Sequence, residues 1–198
     1  MLPLPGKPQS RHDLWGFSVR VSYRYIRPVT VLFARSMGPY QVSSREAWPV
    51  LNAWLERHKI RHLVKLGYGY FRDNPLTTPP DLLRYDACVP IIPGFDADPS
   101  AGIGRQTLPG GAFAMHTHVG SYNDVGEIFS RLHRDIVPKR GLAVDYERPF
   151  VAIYLNDPAI TREVHRRTEL CVPVIPVRMP LSCNDDEDAI VSGIRQVG

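Results

Sequence analysis

Two carboxylates fall inside segments that otherwise read as strands. Asp86 lies in Leu83-Arg-Tyr-Asp-Ala-Cys-Val-Pro-Ile91, and Glu169 lies in Arg166-Arg-Thr-Glu-Leu-Cys-Val-Pro-Val174. Period-2 alternation puts Asp86 on the same face as Cys88, and Glu169 on the same face as Cys171. A charge pointing into an apolar layer costs several kcal/mol unless it is paired. Two readings fit. One is structural: an ion pair with Arg84 or Arg167, or a side chain facing solvent. The other is a carboxylate at the floor of an aromatic pocket, where it would meet a ligand cation. Aromatic residues are plentiful enough for the second, with Trp48, Trp54, Tyr68, Tyr70, Phe71 and Tyr85 in one half and Phe113, Phe129, Tyr146, Phe150 and Tyr154 in the other. Trp54 and Phe129 sit at helix core positions and are assigned to packing. The candidate ligand-binding set is therefore Glu169, Asp86, Trp48, Tyr68, Tyr70, Phe113, Tyr146 and Tyr154.

Other chemistry is poorly represented. His116 and His118 share a strand face, but no third ligand stands near them in sequence, so no metal is expected. Cys88 and Cys171 read as buried thiols, lacking the electropositive setting that would lower a thiol pKa. There is no P-loop, dinucleotide fingerprint or nucleophile elbow, and no cofactor is expected.

The elements that must position these residues come in two copies. Asp86 and Glu169, Cys88 and Cys171, Pro90 and Pro173, and Asn74-Pro75 and Asp157-Pro158 are each 83 positions apart. Gly38-Pro39-Tyr40 recurs as Gly120-Ser121-Tyr122 at an offset of 82. One copy runs from about Val19 to Ile92 and the other from about Ile103 to Val174. In the first, Val19 to Ile26 alternates as a strand, Pro28 interrupts it, and Val29 to Ala34 resumes it. Ser43 or Ser44 would cap a helix carrying Ala47, Val50, Leu51, Trp54 and Leu55 to about His58. Tyr68 to Phe71 and Leu83 to Ile91 follow as strands. In the second copy, strands are expected over 105–108, 112–117, 150–155 and 168–174. Asn123 or Asp124 would cap a helix that ends at Pro138. The expected fold is α+β: two strand-helix-strand-strand modules with a mostly antiparallel sheet. A 70-residue copy has only a marginal core of its own, so the two are expected to share one domain over 19–177. Residues 1–18 form an N-terminal extension, and 178–198 a tail with the acidic run Asp185 to Asp188 and a short helix near its end.

Composition narrows the function classes. The chain has 198 residues, 43% of them hydrophobic and 22% charged, which is ordinary for a globular protein. Its net charge of +4 is too small and scattered to indicate nucleic-acid binding. Three cysteines without a C-x-x-C pair suit a reducing compartment, and no apolar run is long enough for a membrane span. A cytoplasmic location follows as an expectation. The 19 prolines argue against a long helical bundle and for short strands between defined turns.

The segments His118-Val-Gly-Ser-Tyr122, Phe150-Val-Ala-Ile-Tyr-Leu-Asn-Asp-Pro158 and Arg167-Thr-Glu-Leu-Cys-Val-Pro173 resemble the GyrI-like effector-binding superfamily. That family includes small-molecule domains of bacterial multidrug-responsive regulators and stand-alone gyrase-inhibitory proteins, and the resemblance covers about Val19 to Val174. It implies two modules about a pseudo-twofold axis, with both main helices on one side of the sheet and a ligand cleft between them. It also implies a strand glutamate at the cleft floor, matched here by Glu169. In hydrolase members, which open cyclopropane rings, that glutamate works with a tyrosine; the counterparts here would be Glu169 and Tyr68. Residues 1–18 are too short for a helix-turn-helix, so direct DNA binding is not expected. The resulting expectation is a stand-alone binding protein for an aromatic, amphipathic and cationic small molecule. The alternatives are a hydrolase of a strained or electrophilic substrate, and a protein-binding modulator such as a gyrase inhibitor. No membrane partner is expected, and a protein partner or homodimer is left open.

Overall fold

The structure, a computed structural model, describes residues 20–177. The expected extension over 1–18, the acidic run and the terminal helix lie outside the described residues. The chain runs β1 (Ser22–Ile26), β2 (Val29–Met37), α1 (Tyr40–Arg57), β3 (Gly67–Phe71), β4 (Arg84–Pro90), β5 (Ile103–Leu108) and β6 (Gly111–Val119). It continues through α2 (Val125–Arg131), β7 (Leu142–Val144), β8 (Phe150–Tyr154) and β9 (Arg167–Pro176). The strands are ordered β1-β6-β9-β8-β3-β4-β2-β5, with β7 beside β9, and every pairing is antiparallel. This is an α+β fold.

Helix α1 forms because Ala47, Leu51, Trp54 and Leu55 recur at helical spacing and all four are buried. Each of the larger side chains contributes about 1.5–3 kcal/mol by leaving water. The helix begins one turn earlier than the expected serine cap. Pro39 is its N-cap and offers no side-chain bond, while Ser43 is buried in the first turn and donates its hydroxyl to the Gly38 and Pro39 carbonyls. At its other end, Lys59 adopts a left-handed φ of 59°. The amide of Ile60 then reaches the Leu55 carbonyl, and that of Lys59 reaches Glu56, closing the helix with the 6→1 and 5→2 bonds of a Schellman turn. Helix α2 passes into a π-helical turn over Leu132–Ile136 that sets both Leu132 and Val137 in the core.

Register shows which face each residue takes. Gly69 pairs with Ala87 on one side and Ala152 on the other, and Ala152 pairs with Leu170. This row faces the helices: Ala87 packs with Leu51, Trp54 and Leu55 of α1, and Ala152 and Leu170 pack with Phe129 of α2. The adjacent row, Asp86, Tyr70, Val151 and Cys171, faces away from them. So does the next row in that parity: Cys88, Tyr68, Ile153 and Glu169.

The sheet must also roll. Strand β1 stands at one end of the order and β2 near the other, yet only Arg27 and Pro28 separate them in sequence. Six strand spacings in a flat sheet amount to about 29 Å, whereas a two-residue link reaches only about 11 Å. Pro109 and Gly110 impose the same constraint between β5 and β6. The two links touch: a Cβ on Gly110 would lie 2.5 Å from the Ile26 carbonyl oxygen and 2.7 Å from Pro28. Rolling encloses the face without helices around Val31, Tyr70, Cys88, Phe113 and Cys171. It also exchanges strands. The segment expected to extend the first copy, now β1, pairs with β6, while β5 pairs with β2.

Local structure recurs at the spacing of the sequence repeat. Gly38 and Gly120 both have strongly positive φ, and their amides donate to the Leu83 and Arg166 carbonyls. The Asn74 and Asp157 side chains accept from the amides of Leu76 and Ala159. Asp86 and Glu169 are each the third residue of their strand.

Candidate functional site

A cleft of about 1380 Å³ opens between α1 and α2 on the helix-covered face of the sheet. Small residues at the centre of the sheet make room for it. The tip of the Trp48 ring packs against Gly67, where a Cβ would come within 2.7 Å of Cη2. Over Gly69 stand two phenol hydroxyls, and a Cβ there would lie 2.3 Å from that of Tyr85 and 3.0 Å from that of Tyr154. Phe71, Phe129 and Phe150 continue the apolar lining, with ring centroids 5.2 and 5.5 Å apart in sequence. Tyr146 stacks on Phe150 at the open side.

The floor carries a short hydrogen-bond string. Trp48 Nε1–H donates to Tyr85 Oη at 3.0 Å, and Tyr85 Oη lies 3.1 Å from Tyr154 Oη. Tyr122 packs edge-on against Tyr154 at 5.2 Å, and the Arg166 guanidinium sits 5.1 Å over the Tyr122 ring. Burial pushes the Tyr85 and Tyr154 hydroxyls above the ordinary phenol range and raises Tyr122 to about 12. These phenols therefore stay protonated, and able to donate, at neutral pH. Two acidic groups along the cleft hold arginines, while Glu127 of α2 is exposed in its lining. Asp157 takes Arg61 at 2.8 Å, and Asp73 takes Arg84 at 2.6 Å.

Of the candidates read from sequence, the fold brings Trp48, Tyr146 and Tyr154 to this cleft. It places Glu169, Asp86, Tyr68, Tyr70 and Phe113 on the opposite face. The expected glutamate floor is thus corrected: Glu169 shares its row with Tyr68 and points away from both helices. There it meets Arg24 of β1 at 3.1 Å, an interaction that strand exchange makes possible. Asp86 is fully buried and saturated. Arg35 grips it with Nε at 2.6 Å and Nη2 at 2.9 Å, while Arg72 and the Gln106 amide add bonds at 3.2 and 2.9 Å. Its partners are therefore neither Arg84 nor Arg167. Tyr68, Tyr70 and Phe113 line only a very small recess beside the crossed links. His116 and His118 bond to the Arg20 and Ser121 carbonyls, and among the described residues no three His, Cys, Asp or Glu side chains cluster to hold a metal.

Phe71, Tyr85, Tyr122, Phe150 and Arg166 complete the cleft's central geometry and were absent from the candidate set. A signal for some of them exists in Gly67-Tyr-Gly-Tyr-Phe71. Two alternate glycines mark the strand face that other groups approach closely, which selects Phe71 over Tyr68 and Tyr70.

The match to a family model places this arrangement. The GyrI-like small molecule binding domain matches residues 20–175. The chain belongs to the GyrI-like family. A relative, the DNA gyrase inhibitor of Escherichia fergusonii, is 25% identical over 141 residues, spanning 71% of this chain and 88% of the relative. The EcmrR C-terminal domain has a similar fold, with a TM-score of 0.64, 13% identity, and coverage of 81% of this chain and all of that one. A hydrolase from Listeria innocua is also similar in fold, with a TM-score of 0.54 and 15% identity over 79% of this chain and 92% of the other. No helix among the described residues is long and apolar enough to cross a membrane.

Proposed function

We propose that this GyrI-like chain is a binding protein for a small aromatic, amphipathic molecule held in the cleft between α1 and α2. The observation that carries the reading is the aromatic lining of Trp48, Phe71, Phe129, Phe150 and Tyr154, set close on the sheet because Gly67 and Gly69 leave room for Trp48 and for the Tyr85 and Tyr154 hydroxyls. Flat rings supply burial and edge contacts to a flat ligand, and the phenol string supplies a polar anchor within an otherwise apolar site. We read the frame as two strand-helix-strand-strand modules related by a pseudo-twofold axis near the Gly69–Ala152 pair. Support comes from the strand order, which reads the same outward from β3 and β8, and from hydrogen bonds that recur 83 residues apart. A hydrolase built on Glu169 and Tyr68 draws no support from the cleft, because both residues face the other way. Action on gyrase, as the name of the Escherichia fergusonii relative would suggest, is a separate question for a supercoiling assay.

Gly126 offers a clean test. It lines the cleft from α2, and a Cβ added there meets nothing within 4 Å. Gly126→Phe should fill the cleft while leaving the fold intact. Titration with 8-anilinonaphthalene-1-sulfonate should show saturable binding to the wild type and at least about tenfold weaker binding to the variant. Equal binding by both proteins would place the ligand elsewhere.

A further inference from the structure

The cleft's polar groups have a direction, and it sets the chemistry of the ligand they can satisfy. The indole N–H of Trp48 can only donate, so Tyr85 Oη accepts from it. Tyr85 is fully buried, and its own hydroxyl hydrogen needs an acceptor; Tyr154 Oη, 3.1 Å away, is that acceptor. The reverse arrangement would leave the Tyr85 hydrogen stranded. The string therefore runs Trp48 to Tyr85 to Tyr154, and it ends on a Tyr154 O–H with no protein acceptor assigned to it, in a residue that lines the cleft.

Tyr122, also in the lining, packs edge-on against Tyr154 and carries a second phenol donor. Its hydroxyl oxygen is buried and has no hydrogen-bond partner. The corresponding tyrosine of the first copy shows what is missing. Tyr40 donates to the Asp73 carbonyl at 2.7 Å and accepts from the Asp73 amide at 2.9 Å. Arg166, stacked on Tyr122, likewise has a buried Nε without a partner, and its nearest carboxylate, Glu163, is 3.8 Å from Nη1. Asp86 and Glu169 lie behind the sheet, and Asp73 and Asp157 on the cleft wall hold arginines. Glu163 stands 3.8 Å from Arg166, and Glu127 is exposed on α2 at the rim, so none of these carboxylates lies at the Tyr85–Tyr154 floor.

We infer that the cleft selects aromatic ligands whose polar end is an oxyanion, such as a carboxylate, seated on the Tyr154 and Tyr122 hydroxyls beside Arg166. Charge-assisted hydrogen bonds from two phenols and a guanidinium would satisfy donors that the protein leaves without a partner, two of them buried beside the cleft. The inference rests on the cleft reading above and names the ligand class for it.

Matched probes test it on the whole chain. Anthracene-9-carboxylate and 9-(aminomethyl)anthracene have the same ring system and opposite charge at neutral pH. Calorimetric titration should show the carboxylate binding at least about tenfold more tightly. Tyr154→Phe and Tyr122→Phe each keep the ring and remove one donor, and each should weaken the carboxylate by about tenfold or more while leaving the ammonium probe unchanged. Tyr122→Phe breaks no hydrogen bond within the protein, so it reports even if Tyr154→Phe unfolds. Equal or tighter ammonium binding, or a carboxylate preference that survives both substitutions, overturns the inference while leaving the cleft as a binding site. If neither probe binds the wild type, or binding is indifferent to Gly126→Phe, the cleft reading falls and takes this inference with it.

Discussion

Asp73 and its counterpart Asn156 show how one atom changes what a residue does. Asp73 receives Arg84 through Nε at 3.0 Å, Nη2 at 2.6 Å and the backbone amide at 2.8 Å. Asn156 accepts the Arg167 amide at the same place in the second half, without the charge. The Arg84 side-chain hydrogen bonds hold the Asp73 carboxyl below the ordinary carboxylate range. A lowered folded-state pKa adds stability that is complete above the unfolded value near 4 and disappears as pH falls through the folded value. Wild type should therefore exceed Arg84→Gln in stability at pH 6, and the gap should close as pH falls below about 4. Urea denaturation of both proteins at several pH values checks this; a gap independent of pH would show that the pair does not contribute through ionisation. Asp86 illustrates the opposite extreme. With Arg35, Arg72 and Gln106 all bonded to one buried carboxylate, it is a structural ion network with no oxygen directed at the cleft.

Among the elements, α1 matters most, because one face carries Trp48 into the cleft lining and Leu51 and Leu55 into the core beside it. Its end is set by the Schellman turn at Lys59, where glycine would be the usual choice. A non-glycine residue in left-handed backbone costs about 1–2 kcal/mol, partly offset by the greater freedom of glycine in the unfolded chain. Lys59→Gly should accordingly raise stability by about 0.5–1 kcal/mol. Thermal and urea unfolding would register it as a higher midpoint with an unchanged urea slope; a lower midpoint would mean that the Lys59 side chain contributes more than its backbone costs. The buried contact of Ile60, which follows the turn, should persist in the variant.

Across the whole molecule, strand exchange ties the halves together more firmly than the β3–β8 pairing alone. Strand β1 belongs to the first half in sequence and to the second in hydrogen bonding, and β5 does the reverse. Neither half can separate without losing a strand, so the two should unfold in one transition. Trp54 lies in the core of the first half, so with Trp15 and Trp48 replaced by Phe its fluorescence reports on that half, whereas far-ultraviolet circular dichroism reports on both. The two signals should give coincident urea midpoints. Separate midpoints would show that the halves unfold independently despite the shared edges.

Sequence by itself determined the α+β class and, apart from β7, the order of strands and helices, because these depend on local periodicity and on spacing along the chain. The pairing of Asp86 with Cys88 and of Glu169 with Cys171 on common faces was legible for the same reason. Tertiary structure decided which face that is. Alternation distinguishes two sides of a strand but does not say which side a helix will cover. That choice came from the row of Ala87, Gly69, Ala152 and Leu170, whose small central residues let helices and aromatic rings approach. Trp48, Tyr146 and Tyr154 could be picked out as aromatic candidates, but Tyr122 and Arg166 could not, since nothing local shows a hydroxyl or a guanidinium nitrogen left without a partner. Nor could the salt bridge of Glu169 with Arg24 be read in advance. It exists because two-residue links force the sheet to roll, bringing a strand from the first half against the second, and chain closure of that kind is a property of the assembled sheet.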